Sequence, residues 1–588
     1  MMERNNRSLA MLRFLALTTA LCCTTPLMAG SASYNVSNDQ MFVTDLGLAG
    51  KTTRYRDVLL KMRAMPVILL GDARATTFSF NETTGVMHLP NVVYQGRAYS
   101  GVRIEGAQFD VLAVGSGYEA APLAFPGAAS FGAQATGGRG GRVITVTNLN
   151  ANGPGSLQAA LDEQGPRTVV FAVSGLIDAP IHLTRGDVTI AGQTSPGGIT
   201  IRQLHTTEEP FCDQRVECAA TARKADNWIM RHVRIRPNAQ HDDGLRLRYT
   251  RRAVVDHVSI GGAVDEAVEI SYAQDITIQN TIIAETVGDH ADRGGVLINY
   301  SNPSQSYELT RLALHNNVFN RILGRYPEFS RESAAAGNSV MDVELSNNLY
   351  WDMGYFVDIN NTTISASDSG QPIYYRLNFA HNYAVARNAS QPEPMRFGMV
   401  HIATPQGAQP RTTTWFSGNQ INLYPQLSDY GLLYCCNDFP DEPRSNAAPA
   451  YAVGQRHDFP GMGYARATDL PALSVLKAGA FPRDPMDKRL MQAVERREIT
   501  LVPRHINPAG DGSALPWANG TQPPAAPTDS DGDGMADAWE VANGLNPQVQ
   551  DHNGTQLSMP LLGMPGYTNL EVYLHLLSEQ RIREADVR

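Results

Sequence analysis

A short pattern of apolar, variable, His or Asn, variable, apolar residues recurs through the centre of this 588-residue chain. It is centred on His232 in Met230–Ile235, His257 in Val255–Ile260, Asn280 in Ile278–Ile283, Asn317 in Leu314–Phe319, Asn348 in Leu345–Tyr350, Asn382 in Phe379–Ala384 and Asn419 in Phe416–Ile421. A repeated unit that cannot bury its apolar face alone must stack on its neighbours, so repetition restricts the fold more than local propensity does. The intervals fit one turn of a solenoid plus loops. Stacking pairs successive strands in parallel and buries alternate apolar residues, while a corner asparagine bonds to its neighbour and satisfies turn backbone groups. His232 and His257 are then structural corner residues. A propeller or sandwich is the architectural alternative, and irregular spacing disfavours the propeller. The expectation is an all-β chain whose centre is a right-handed parallel β-helix.

The flanks divide the chain further. Arg4, Arg7 and Arg13 lead into or flank the apolar run Phe14–Cys23, and small residues near Ala29 and Ala32 offer a cleavage point, so residues 1–32 read as a secretory signal. No second apolar run is long enough to span a membrane. Cys22 and Cys23 leave with the signal; Cys212 and Cys218 can staple their short loop, Cys435 and Cys436 have no assigned pairing, and the absence of C-x-x-C spacing argues against zinc. Residues 33–120 read as an accessory region with one amphipathic helix, Tyr55–Met65, and a small β module carrying Val86–Leu89 and Val92–Tyr94. The run Gly137-Gly138-Arg139-Gly140-Gly141 opens no helix in a phosphate-binding pattern and reads as turns. Residues 121–500 hold the stack, 501–528 a proline-rich linker, and 529–588 a compact tail.

In that tail, Asp529-Ser530-Asp531-Gly532-Asp533-Gly534-Met535-Ala536-Asp537-Ala538-Trp539-Glu540 fits an EF-hand calcium loop. Asp529, Asp531, Asp533 and Glu540 supply carboxylates, Met535 its carbonyl, and Asp537 a direct or water-mediated contact. Gly566–Leu574 reads as a companion helix start, but Met559–Pro565 lacks the acids of a second loop.

The segments Ala124-Phe125-Pro126-Gly127-Ala128, Phe131-Gly132, Thr136–Gly141, Val146-Thr147-Asn148-Leu149-Asn150 and Gly153-Pro154-Gly155-Ser156-Leu157 form a recognisable opening. With Val188–Ala191, Gly192-Gln193-Thr194 and Val254-Val255-Asp256-His257, they make the chain resemble bacterial pectate lyases over roughly residues 124 to 425. Secreted members of that group often end in an Asp-rich calcium motif after a proline-rich linker. The resemblance implies a secreted lyase that splits an acidic polysaccharide with calcium as cofactor. It implies Arg325, in Arg325-Tyr326-Pro327 after Asn316-Asn317, as the base. Many relatives carry another arginine just beyond that proline; here Glu328 follows, and Arg331 is the nearby substitute for a substrate contact. It also implies Asp243, Asp265 and Glu269 as calcium ligands, with Asp242 substituting for an acidic position that falls on His241. Arg293 stands where the group places a substrate-binding lysine, and its guanidinium is a different donor.

The chemistry favours the same residues. Withdrawing a proton beside a uronate carboxylate opposes the charge already there, so a metal and arginines must neutralise it. A net charge of −10 argues against nucleic acid as partner and requires any positive charge to be concentrated in one groove. A monomer acting on a pectate-like polymer, free of the membrane after signal removal, is expected. The rival readings are a β-helix glycoside hydrolase with paired carboxylic acids and a non-catalytic carbohydrate-binding β-helix.

Overall fold

The computed structural model describes residues 32–586 except for 36–37, 49–50, 52, 65–66, 71–77, 95–96, 115–116, 120–121, 208–223, 238–241, 287–293, 302–306, 323, 332–337, 364–372, 387–397, 404–410, 436–447, 461, 500–514, 516 and 518–521. Residues 1–31 of the expected signal, Cys212, Cys218, Cys436, His241 and Arg293 therefore lie outside the described residues. Two compact units form: Ala135–Phe459 with Arg466–Pro527, and Met1–Gln134 with Pro460–Ala465 and Thr528–Arg588. No described helix is long and apolar enough to cross a membrane.

Among the described residues the larger unit is a parallel β-helix of 24 strands. One face stacks Trp228–Arg231, the second halves of Leu245–Asp256 and Val268–Gln279, then Thr310–His315, Val340–Ser346, Tyr374–Ala380 and Thr413–Ser417, each paired in parallel with the next. A second face stacks Val233–Ile235, Ser259–Gly261, Ile282–Ala284, Val318–Asn320, Leu349–Met353 and Tyr383–Ala386. The third begins with the first halves of Leu245–Asp256 and Val268–Gln279 and continues through Val296–Ile298, Glu328–Arg331, Val357–Thr363 and Val400–Ala403. Because side chains alternate along a strand, one residue per turn repeats on the inside. Val255, Ile278, Leu314, Leu345, Phe379 and Phe416 form such a column, all within the core. Each buried aliphatic or aromatic member contributes about 1.5–3 kcal/mol relative to exposure.

The recurring polar residue occupies two adjacent positions. His232, His257 and Asn280 take the left-handed backbone that turns the corner, as do Asn316, Asn347 and His381. Asn317, Asn348, Asn382 and Asn419 come one residue later and form a ladder. The Nδ2 of Asn317 donates to Oδ1 of Asn348 (3.2 Å), Asn348 to Asn382 (3.2 Å) and Asn382 to Asn419 (3.0 Å), and Asn419 donates to Asp429 (2.9 Å). Each also reaches a buried backbone carbonyl, as Asn348 does at Leu314 (2.9 Å), so turn groups that no strand satisfies are paired. The His232 and His257 rings stack 5.0 Å apart. Asp256 is buried between Arg231 and His257, each at 2.7 Å. Burial acts to raise its carboxyl, but the charges of His257 and Arg231 outweigh that and hold it well below the usual range. The Asp256-His257 pair thus belongs to the frame.

Two helices after the stack were not anticipated. Asp484 caps Pro485–Arg496 by accepting from the Asp487 amide, and Arg236 pairs with Asp484 (2.8 Å) and Asp487 (2.9 Å), so buried charges fasten the helix to the strands. Little of the proline-rich stretch is described. Trp517 and Pro523 lie over Gly197, where a side chain would have no room.

Among the described residues the smaller unit contains a nine-stranded sheet. The helix expected at Tyr55–Met65 is instead the strand Thr53–Ala64, antiparallel to Gln40–Leu48. Val58, Leu60 and Met62 are buried while Arg63 between Met62 and Ala64 is exposed, a period of two that decides against the helix. Val86–Leu89 and Val92–Tyr94 are parts of one strand, Val86–Tyr94. In the tail, Asp537–Ala542 and Asn569–Asp586 are helical, the latter matching the companion helix. The Tyr567 hydroxyl accepts from the Leu123 amide at 3.1 Å.

Candidate active site

The third face of the stack carries the polar cluster. Its outward row runs Arg246, Glu269, Leu297, Glu328, Asp358 and His401, in register from turn to turn. Just before this row, the turns leading into the strands bring together Asp243, Asp265 and Glu266, with ligand oxygens all within 4.8 Å of one another. Register explains the meeting: the Gly244 amide donates to the Glu266 carbonyl at 2.9 Å, and the Glu266 amide donates to the Asp243 carboxylate at 3.0 Å.

Arg325 enters from two turns further along the stack, past the turn at Gly295. Its backbone is left-handed (φ 62°), a conformation that is uncommon outside glycine and typically costs about 1 kcal/mol or more. Its carbonyl accepts from the Val296 amide at 2.9 Å, and Gly295 is needed there because a side chain would collide with that carbonyl. The guanidinium pairs with Glu266 through Nη1 and with Glu328 through Nε at 3.3 Å. Arg325 is therefore joined to the acidic cluster through Glu266.

Glu269, the sequence's companion to Asp265, is not drawn into this cluster. It sits one row further along the strand, where Arg246 (3.1 Å), Arg248 (2.8 Å) and the Ser271 hydroxyl (2.6 Å) occupy its oxygens. Glu266 lies with Asp243 and Asp265 instead. Asp242 also lies aside, exposed and paired with Arg246 at 2.7 Å. Burial acts to raise the Asp242 carboxyl, and the Arg246 charge overcomes it and holds it low. Asp243 pairs with Arg246 at 2.8 Å, yet burial dominates and raises its carboxyl. For Arg246 burial works to lower the pKa, and Asp243, Glu269 and Asp242 together push it up instead. The Arg331 backbone pairs with Thr363 at the end of the strand Glu328–Arg331.

Sequence reasoning missed Glu266, Arg246 and Arg248. The signal was available for the arginines, because Leu245-Arg246-Leu247-Arg248 alternates and must point both outward if the leucines point inward. Asp358 and His401, 2.8 Å apart, extend the row and were also missed.

A second group of carboxylates lies in the tail. Asp529, Asp531 and Asp533 have oxygens within 4.8 Å of one another, as do Asp533, Glu540 and Asp551. Both Glu540 oxygens are buried without a hydrogen-bond donor. Burial, then the charges of Asp533 and Asp531, pushes Glu540 up to about 7; burial foremost pushes Asp533 up to about 6. The Met535 amide donates to Asp533, and Asp537 is occupied by Ser530, at 2.8 Å from its amide and 2.6 Å from its hydroxyl. Hard oxygens gathered this closely fit a calcium-like ion in both places, although Arg246 and Arg325 partly balance the groove cluster.

No protein-family model matches the chain. It is 30% identical over 466 residues to a protein of Aspergillus fumigatus described as "Probable pectate lyase C", an alignment covering 77% of this chain and 94% of that one. It is 29% identical over 471 residues to a protein of the same description from Aspergillus terreus, with the same coverage of 77% and 94%. These curated relatives are fungal, whereas the resemblance noted in the sequence was to the bacterial group. A pectate lyase from Bacillus sp. N165, solved with trigalacturonate, is 15% identical, covers 60% of this chain and 99% of its own, and overlays with a TM-score of 0.36.

Proposed function

The chain belongs to the pectate lyase family and is a polysaccharide lyase, and from that premise we propose that it splits pectate by calcium-assisted β-elimination in the groove around Arg325. The observation that carries this reading is the contact of Arg325 with Glu266, itself one of three clustered carboxylates.

Asp243, Asp265 and Glu266 would hold the calcium ion, which would supply positive charge to a substrate carboxylate. Arg325 first gives a proton to solvent, and as the neutral guanidine takes the proton from the carbon bearing that carboxylate. The electron pair left behind forms a double bond to the neighbouring carbon, and the glycosidic oxygen there departs and takes a proton from water. In holding the ion Glu266 would give up its pairing with Arg325, leaving that side chain to the substrate. Arg246 and Arg248 hold Glu269, which keeps that carboxylate's charge away from an anionic polymer. Arg293 and Arg331 are assigned to substrate contact by their sequence positions. The chain acts after export, as a monomer, and the tail loop from Asp529 to Glu540 holds a second calcium ion.

The test is direct. Purified chain mixed with pectate produces an unsaturated end that absorbs in the near ultraviolet, and chelator abolishes the signal. Saturated reducing ends without that absorbance would instead make it a hydrolase, and polymer binding with no product would make it a binding protein.

A further inference from the structure

We propose that the tail cation site is completed by Asp551, outside the acidic loop, so that the bound ion ties the loop to the segment leading into the helix Asn569–Asp586. This rests on reading residues 529–540 as a calcium site, and goes beyond it by assigning a ligand and a structural consequence.

The loop alone leaves the site incomplete. Its ninth residue, Asp537, would ordinarily face the ion directly or through water, but its carboxylate accepts from the amide and hydroxyl of Ser530. Asp551 stands on the other side, with an oxygen within 4.8 Å of those of Asp533 and Glu540. Its amide donates to Asp533 at 3.2 Å, and Gln550 donates to the Asp531 carbonyl at 2.6 Å, which fixes the segment against the loop. Glu540 is fully buried, and neither of its oxygens meets a donor. A buried carboxylate with no donor requires a cation or a proton, and Asp533 links Glu540 and Asp551 to the neighbouring Asp529 and Asp531.

The far side of Asp551 is wired to the long helix. The Asp551 carbonyl accepts from the Asn569 side chain at 3.0 Å, and the Asn569 side chain accepts from the Leu557 amide at 3.3 Å. Trp539, beside Glu540, rests edge-on against Tyr573 of that helix with ring centres 4.9 Å apart. Ligation by Asp551 therefore closes the whole tail around the ion.

The full chain is titrated calorimetrically with calcium chloride, in a background of Asp265→Asn and Glu266→Gln so that only the tail site is counted. Asp533→Asn removes binding, Asp551→Asn weakens it about tenfold or more, and Asp537→Asn changes it by less than about twofold. Protease resistance of residues 529–586 is restored in Asp551→Asn only at correspondingly higher calcium. If Asp551→Asn stays within about twofold while Asp533→Asn abolishes binding, Asp551 is not a ligand and the loop reading survives. If Asp533→Asn has no effect, the loop reading itself falls and the proposal with it. Should Asp551→Asn resist proteolysis at no calcium concentration, Asp551→Glu decides: recovery supports ligation and continued sensitivity overturns it.

Discussion

Arg325 and the acidic cluster share one residue: the Glu266 carboxylate that pairs with the Arg325 guanidinium also lies within 4.8 Å of the oxygens of Asp243 and Asp265. Cation and arginine therefore draw on the same negative charge, and linkage makes the competition reciprocal. Arg325→Gln is expected to tighten calcium binding in the groove by roughly fivefold, the lower end of ordinary coupling between sites. The measurement is a calorimetric titration in an Asp533→Asn background. Weakened or unchanged affinity would separate the two functions. Arg325→Lys, which keeps a charge but loses the planar fork, is expected to abolish turnover while sparing polymer binding.

Glu266 and Glu269 are three residues apart and should respond differently. Glu266→Gln is expected to raise the calcium needed for half-maximal activity by about tenfold or more, with a smaller loss of stability because Glu328 still pairs with Arg325. Glu269→Gln leaves Arg246 and Arg248 short of a buried partner and is expected to cost about 3 kcal/mol of stability with little change in the calcium requirement. Denaturant unfolding and calcium titration on both variants separate the roles, and the reverse pattern would return Glu269 to the ligand set.

Asn348 sits in the middle of the ladder. Asn348→Ala removes donors to Leu314 and Asn382 and an acceptor for Asn317, leaving buried groups without partners. A loss of about 2–4 kcal/mol is expected in denaturant unfolding, with calcium affinity of the surviving folded protein unchanged. A loss under about 0.5 kcal/mol would mean the ladder is dispensable.

His315 is fully buried, and desolvation lowers its pKa to about 3 from 6.5. A histidine depressed in the folded state stabilises it fully above its unfolded pKa, and that contribution is lost as pH falls from about 6.5 towards 3. His315→Gln is expected to show a shallower decline of stability over that window, measured by unfolding at several pH values. An unchanged slope would place the acid sensitivity elsewhere.

The stack was legible in the sequence because its repeat combines a turn requirement with an inward apolar column, and both leave marks at the same spacing. The pattern blurred two adjacent positions, since His257 at a corner and Asn317 one residue later both sit between apolar neighbours. Tyr55–Met65 misled because a short run with leucines at Leu59 and Leu60 supports either period until its partner strand is known. Within the site, Arg325 was marked by its Arg-Tyr-Pro context, but Glu266 and Glu269 were separable only by strand register. A glutamate before the strand meets the cluster, whereas one within it meets the arginine of the turn below.

The outward row from Arg246 to His401 advances by one strand separation per turn, so its six positions extend about 24 Å. Such a scale measures length as well as charge. A long ligand can touch many of its marks at once, whereas a single sugar spans too little of it to be held, so affinity should climb with the number of linked units.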